Sequence, residues 1–527
     1  MRPAGFGGLF ACASTLACIG CSEPASPTGG VILSLDIPNA MLDPQGYTQV
    51  EITLHTPTGD IVRSSSVGAN GAFDIGDLDV MSDVSVEAVL RNESGTAVGY
   101  GRTATAVDFA PGETVKVAIR RPIVYFSGLV SSDGDGNANT DDIVWSTSPA
   151  TFSDLSSGAS FDGRTQVGTK AVLMISAGPE LYMVEQATST SQGATTDPAT
   201  KLTGPATVKP VSTGTHAVAP QLTGTMLGGV RDGAGSDDGL WLVIGTTSQL
   251  YVVNTVTGMV SAVADGDFAR VAMVNNADGS SSAIAIQGRG TPCTQSAQVI
   301  TVGFAGGEVS PSVTIATGGY SDVASDGGRS FVIDACKGEL GEITGATIKV
   351  LRTGLGKPTA LAVSNGQAWI GIERTGTPSS LMLVVAPLVG TDEPRTLWAE
   401  VVQQVANATM YDGVQRLMDS TSAVFHHLEV GAGGDYVAAT VSAHFFAPDV
   451  IQANFPELTI DTEELRVFDA SSGGTVQRYR SWCDGVIRST VGDIEDWACA
   501  TSTGQTAPPM FSLEHQIQSM TFLFGKK

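Results

Sequence analysis

The chain is 527 residues long, with 63 glycines, 15% charged and 42% hydrophobic side chains; that hydrophobic share can bury a large core and excludes wholesale disorder. Its 53 acidic and 28 basic residues leave a net charge of −25, a field that repels phosphate backbones and argues against a nucleic-acid partner. Beyond Cys21 no apolar run is long enough to span a bilayer as a helix.

The opening MRPAGFGGLFACASTLACIGC places one Arg before a short apolar stretch of small residues, the layout of a secretory signal over residues 1–21. Within it, Cys18-Ile19-Gly20-Cys21 resembles a bacterial lipobox, although Cys18 stands where Leu is usual and Thr15-Leu16-Ala17-Cys18 is a second candidate. The resemblance implies lipidation at Cys21, a lipid anchor in the membrane, and an exported protein of the outer membrane or cell surface. A periplasmic or secreted protein with an ordinary cleaved signal is the alternative. Residues 22–30, rich in Ser, Pro and Gly, read as a flexible tether.

From 31 to 121 the pattern is of short alternating strands. Val50, Ile52 and Leu54 fall on one face, with His55 on the other as a surface residue, and Thr58-Gly59-Asp60 supplies the next turn. Val84 to Leu90 and Val115 to Ile119 repeat the alternation, so six or seven strands in about 90 residues predict a β-sandwich. The unit resembles the immunoglobulin-like or transthyretin-like modules at the front of many bacterial surface proteins.

From 122 to 527 a looser repeat pairs apolar strands. First members begin near Ala171, Leu240, Ser282, Ser330, Ala368 and Tyr436. Units of roughly 40–50 residues, with insertions, point to four-stranded β-propeller blades. Tyr251-Val252-Val253-Asn254-Thr255-Val256-Thr257-Gly258 and Val467-Phe468-Asp469-Ala470-Ser471-Ser472-Gly473-Gly474 resemble the outer-strand turn of many β-propellers. The predicted fold is all-β, a β-sandwich followed by a β-propeller of about seven blades, six being the alternative. The seventh would form when Met520–Phe524 lies beside Ile123–Phe126 and closes the ring. Val402, Val405 and Met410 have helical spacing and predict an inserted helix over 401–420.

Outside the export segment four cysteines remain: Cys293, Cys336, Cys483 and Cys499. In an exported chain an even number suggests disulfides. Cys483–Cys499 would close a short loop and Cys293–Cys336 would link neighbouring strand groups. Zinc is the weaker reading, since the four include no CxxC pair.

Asp133, Asp135, Asn137 and Asp141 set oxygen ligands at the spacing of an EF-hand-like loop, with Asp142 as a substitute ligand, which implies a structural calcium ion. Ala138 and Val144 occupy positions where that loop needs Gly and Glu, so an acidic turn is the competing reading. The second acidic run, Arg231 to Gly239, reads as a solvated loop. His427 and Glu429 share a strand face and, with His444, could hold a metal; packed or exposed histidines are the alternative. No nucleophile elbow and no phosphate-binding glycine loop occurs, so no catalytic residue is assigned. The function expected is an envelope-anchored binding or scaffold lipoprotein that takes a protein, glycan or small ligand on its propeller. The alternative is an extracytoplasmic hydrolase or lyase with a metal at the propeller channel.

Overall fold

The computed structural model describes residues 32–36, 46–67, 81–131, 171–186, 204–447, 457–480 and 515–527, apart from short stretches within these ranges. Strand fragments at 145–147, 151–154, 165–166, 485–488 and 495–497 are also described. Among the described residues every regular element is a β-strand except one 3-10 turn, Ala432–Gly434.

The N-terminal unit has a core of its own. One sheet runs in the order Gly59–Ser66, Tyr47–Thr56, Met81–Asn92, Ala97–Arg102, with Val107–Phe109 also on its third strand. A parallel pair, Ile32–Asp36 and Thr114–Ala118, forms a second sheet that shares the same core. Strand alternation sends Val50, Ile52 and Leu54 inward, where they are fully buried with Val84, Val86, Val115 and Val117.

Among the described residues seven further antiparallel sheets follow, of three to seven strands, three of them four-stranded. Their first strands are β1 (Ala171–Ala177), β2 (Val230–Gly235), β3 (Phe268–Asn275), β4 (Tyr320–Asp326), β5 (Lys357–Ser364), β6 (Gln415–Gly431) and β7 (His515–Phe522). Each packs on the next, and β7 packs on β1, a propeller-like arrangement. The hydrophobic cores lie between neighbouring sheets: Leu173 and Ile175 meet Leu242 and Ile244, and Phe331 and Ile333 meet Leu361 and Ile370. Closure is by antiparallel pairing of β7 with Ile123–Ser131, in the register Met520↔Phe126, Thr521↔Tyr125 and Phe522↔Val124. The sequence expectation for this pair therefore holds.

Glycines let the sheets approach closely. A Cβ on Gly371 would come within 2.6 Å of the Phe425 ring, and one on Gly245 within 2.6 Å of the Phe268 carbonyl. In both places the glycine is on the second strand of one sheet and the phenylalanine is on the first strand of the next.

Two expectations need correction. No helix spans 401–420: Arg395–Val401 and Gln403–Asn407 are strands broken at Val402, and β6 starts at Gln415, while Met410 lies outside the described residues. The break buries Val402, whose N–H donates to Ser379 O at 2.9 Å, and this mimics a helical spacing. The run from Arg231 is also no solvated loop. Arg231 to Gly235 belong to β2, Ser236 is fully buried, and Asp238 Oδ1 accepts the Leu240 N–H at 2.9 Å.

Candidate functional site

A β-bulge interrupts every one of the seven first strands at a corresponding place, between Ala171 and Leu173, Val230 and Asp232, Phe268 and Arg270, Tyr320 and Asp322, Pro358 and Ala360, Phe425 and His427, and Ile517 and Ser519. A bulge bends its strand and re-aims the side chain that follows. Three of these positions bond forward to the next sheet. Asp232 Oδ2 accepts the Val271 N–H at 2.9 Å, Asp322 Oδ2 accepts the Leu361 N–H at 2.9 Å, and Ser519 Oγ accepts the Met174 N–H at 3.0 Å.

Inside the ring lies a cavity of about 1230 Å³, walled by the first strands and by residues of the N-terminal unit, among them His55, Glu87 and Arg102. The two parts are joined by ion pairs: Arg91 to Asp435, with Nη2 3.2 Å from Oδ1, and Arg102 to Asp237. His55 is therefore more than a surface residue. Its Nδ1 lies 2.9 Å from Asp60 Oδ1 and its Nε2 3.5 Å from Glu87 Oε2. The hydrogen bond to Glu87 outweighs burial and raises the His55 pKa above its ordinary value. Burial alone would raise the Glu87 carboxyl; His55, Lys526 and Arg102 together hold it low.

The cavity wall is a network of paired charges. Lys527 Nζ pairs with Asp232, lies 3.5 Å from Asp322 Oδ1, and donates to Val271 O at 3.2 Å. Lys526 Nζ sits 2.8 Å from Asp326 Oδ1. Burial works against the Asp232 and Asp326 carboxylates, yet Lys527 and Lys526 respectively keep both ionised below the usual carboxylate range. Arg270 Nη2 donates to His426 O at 2.8 Å, and its Nε is 3.7 Å from Asp322 Oδ1. Burial, with Arg270 adding to it, lowers the His426 pKa to about 4, and its Nε2 lies 2.5 Å from Ser442 Oγ.

Of the metal candidates, His427 and Glu429 both line the cavity, with Nε2 3.7 Å from Oε2. His444 is opposite Ser422, four residues along its strand from Thr440, the partner of His427; at about 3.4 Å per residue that is roughly 14 Å. Among the described residues no group of three His, Cys, Asp or Glu side chains is placed to hold a metal ion. Glu429 has other work: its Oε1 accepts the Phe522 N–H at 2.9 Å and the Thr521 hydroxyl at 3.0 Å. Cys293 and Cys336 are joined in a disulfide. Cys21, Cys483, Cys499 and the loop holding Asp133, Asp135, Asn137, Asp141 and Asp142 lie outside the described residues.

Asp232, Asp322, Arg270, Lys526 and Lys527 were not candidates from sequence. The available signal was a lone buried-type Asp two residues into two strand-like segments, Val230-Arg231-Asp232 and Tyr320-Ser321-Asp322.

No family model matches the chain, and no curated protein matches it. Among solved structures it is similar to a nidogen/laminin complex chain at 9% identity and a TM-score of 0.31, covering 51% of this chain and 89% of that one. A functionally unknown protein from Desulfotomaculum acetoxidans matches at 14% identity and a TM-score of 0.30, covering 52% and 95%. A periplasmic gluconolactonase of Pseudomonas aeruginosa matches at 13% identity and a TM-score of 0.27, covering 67% and 95%. Likeness at this level carries no function to this chain.

Proposed function

We propose that the chain is an exported, envelope-anchored binding lipoprotein whose ligand is a small polar molecule held inside the ring. In this reading Cys21 carries the lipid, residues 31–121 form a β-sandwich, and residues 122–527 form a seven-bladed propeller closed by β7. The packing of seven first strands in a circle supports the blade count, and the separate N-terminal core supports the sandwich. The observation that carries the functional reading is the cavity of about 1230 Å³, in which charged side chains from both parts of the chain are gathered and buried. A ligand pocket of 300–1,000 Å³ is the usual scale for a small molecule, so the space is ample. A calcium ion on the loop from Asp133 to Asp142 is proposed as a structural accessory, which calorimetry with and without chelator tests.

The test is ligand-observed NMR on the Cys21→Ser protein, using a panel of amino acids, neutral monosaccharides and dicarboxylates. At least one class should show saturation transfer, and Ser85→Trp, which fills the cavity from the N-terminal unit, should remove it. A silent panel, or binding untouched by Ser85→Trp, overturns the binding reading. Cys21→Ser itself should convert an acyl-labelled membrane protein into a soluble one; unchanged fractionation overturns the anchor.

A further inference from the structure

Lys527 Nζ donates to the Asp232 carboxylate and the Val271 carbonyl and lies 3.5 Å from Asp322 Oδ1. Two acceptors and a second carboxylate gathered round one nitrogen suit the compact charge of a primary ammonium, not the flat fork of a guanidinium. The charges here balance: Asp232 and Asp322 face Lys527 and Arg270. Without the Lys527 ammonium the group would carry one negative charge, on carboxylates whose residues are only 4% and 0% exposed. A buried charge of that kind demands a cation.

A second observation comes from the roof of the same cavity. The Arg102 side chain is 6% exposed and its Nη2 is taken by Asp237; Glu87 and the Tyr100 hydroxyl are its other polar neighbours, yet Nε and Nη1 are buried short of a well-formed hydrogen bond. Buried donors of a charged group are costly to leave unmet, so they call for an oxygen that the ligand supplies.

We propose that the cavity receives a small molecule with a primary ammonium group at Asp232 and Asp322 and an acceptor oxygen at Arg102, and that Lys527 occupies the ammonium position when the ligand is absent. The proposal rests on the reading of the cavity as a binding site. Lys527 is a resident stand-in on a short turn. Lys526 anchors that turn through two backbone hydrogen bonds with Val430, each 2.8 Å, and through Asp326.

Lys527→Ala deletes three methylenes and the ammonium, which n-propylamine replaces atom for atom. Propylammonium should raise the melting temperature of Lys527→Ala by several degrees with saturation, and n-propanol should not. 6-Aminohexanoate, which presents the same ammonium on a longer chain, should act likewise. Asp322→Asn in the same background should abolish both effects. A folded Lys527→Ala protein that ignores both amines, or responds equally to propanol, overturns the proposal. In the wild-type protein, where folding is not in question, 6-aminohexanoate should move the nitrogen-15 resonance of Lys527 Nζ; a resonance unmoved at saturating concentration also overturns it. Binding of some other panel compound while the amines fail would sink the ammonium assignment and leave the binding reading standing.

Discussion

Glu429 on β6 accepts the backbone N–H of Phe522 on β7 at 2.9 Å, so one buried carboxylate bonds the closing strand to its neighbour. Gly525 lies against the same carboxylate, and a Cβ there would overlap Glu429 Oε1. The glycine is needed because the turn after β7 must pass over an occupied acceptor.

A double-mutant cycle follows from this contact. Glu429→Ala leaves the Phe522 N–H buried without an acceptor and should cost about 1–3 kcal/mol. Gly525→Ala should also destabilise the protein, since the carboxylate has to move. In the Glu429→Ala background, however, the added methyl meets no oxygen, and its cost should largely vanish. Urea midpoints of the four proteins measure the coupling. Additive losses would contradict the packing described.

The disulfide from Cys293 to Cys336 ties the sheet of β3 to the turn after the second strand of the β4 sheet, across 43 residues. On a chain-entropy account, a loop of that size contributes about 4 kcal/mol. Cys293→Ser with Cys336→Ser should therefore lower the urea midpoint clearly, and reductant should do the same to the wild type. Peptide mapping without reductant should find the two cysteines linked; two free thiols would refute the bond.

Stability should depend on pH with opposite signs at two histidines. His426 is held neutral, with its pKa lowered to about 4 by burial and by Arg270. Its contribution is full above the unfolded value near 6.5 and is lost as the pH falls toward 4. His55 is raised by Glu87, so its contribution is full below 6.5 and is lost as the pH rises through its folded value. His426→Asn should flatten the acid limb between 6.5 and 4, and His55→Gln the limb above 6.5. Denaturant midpoints across pH 4 to 8 check both; acid limbs of equal slope in wild type and His426→Asn would count against the first.

The second strands of these sheets were the most legible part of the chain. Trp241–Thr246, Ser281–Gln287, Arg329–Asp334, Gln367–Arg374 and Tyr436–Ala447 each sit between two partners, so their apolar runs stand out. The first strands were hidden for the opposite reason. They face a charged cavity and carry a bulge, so Val230-Arg231-Asp232-Gly233 reads as a polar turn and Tyr320-Ser321-Asp322 does not alternate cleanly. Starting the repeat at Ala171 mixed the two kinds, because Ala171–Ala177 is a first strand. The turns were readable from local chemistry: Asn254 Oδ1 accepts the Thr257 N–H at 2.8 Å, Asp469 Oδ1 accepts the Ser472 N–H at 2.8 Å, and Gly258 and Gly473 supply the positive φ that ends each turn. The charged cluster was beyond reach, since Asp232, Asp322 and Lys527 become neighbours only when the ring closes.

The pairing of β7 with Ile123–Ser131 also constrains how the molecule can be made. Ser519 bonds to Met174 across a sequence separation of 345 residues. During synthesis the strand from Ile123 emerges early and presents an open edge until β7 has followed it. An arrested or clipped chain keeps that edge exposed, a template for intermolecular pairing and for proteases. Only a chain that includes β7 can cover that edge.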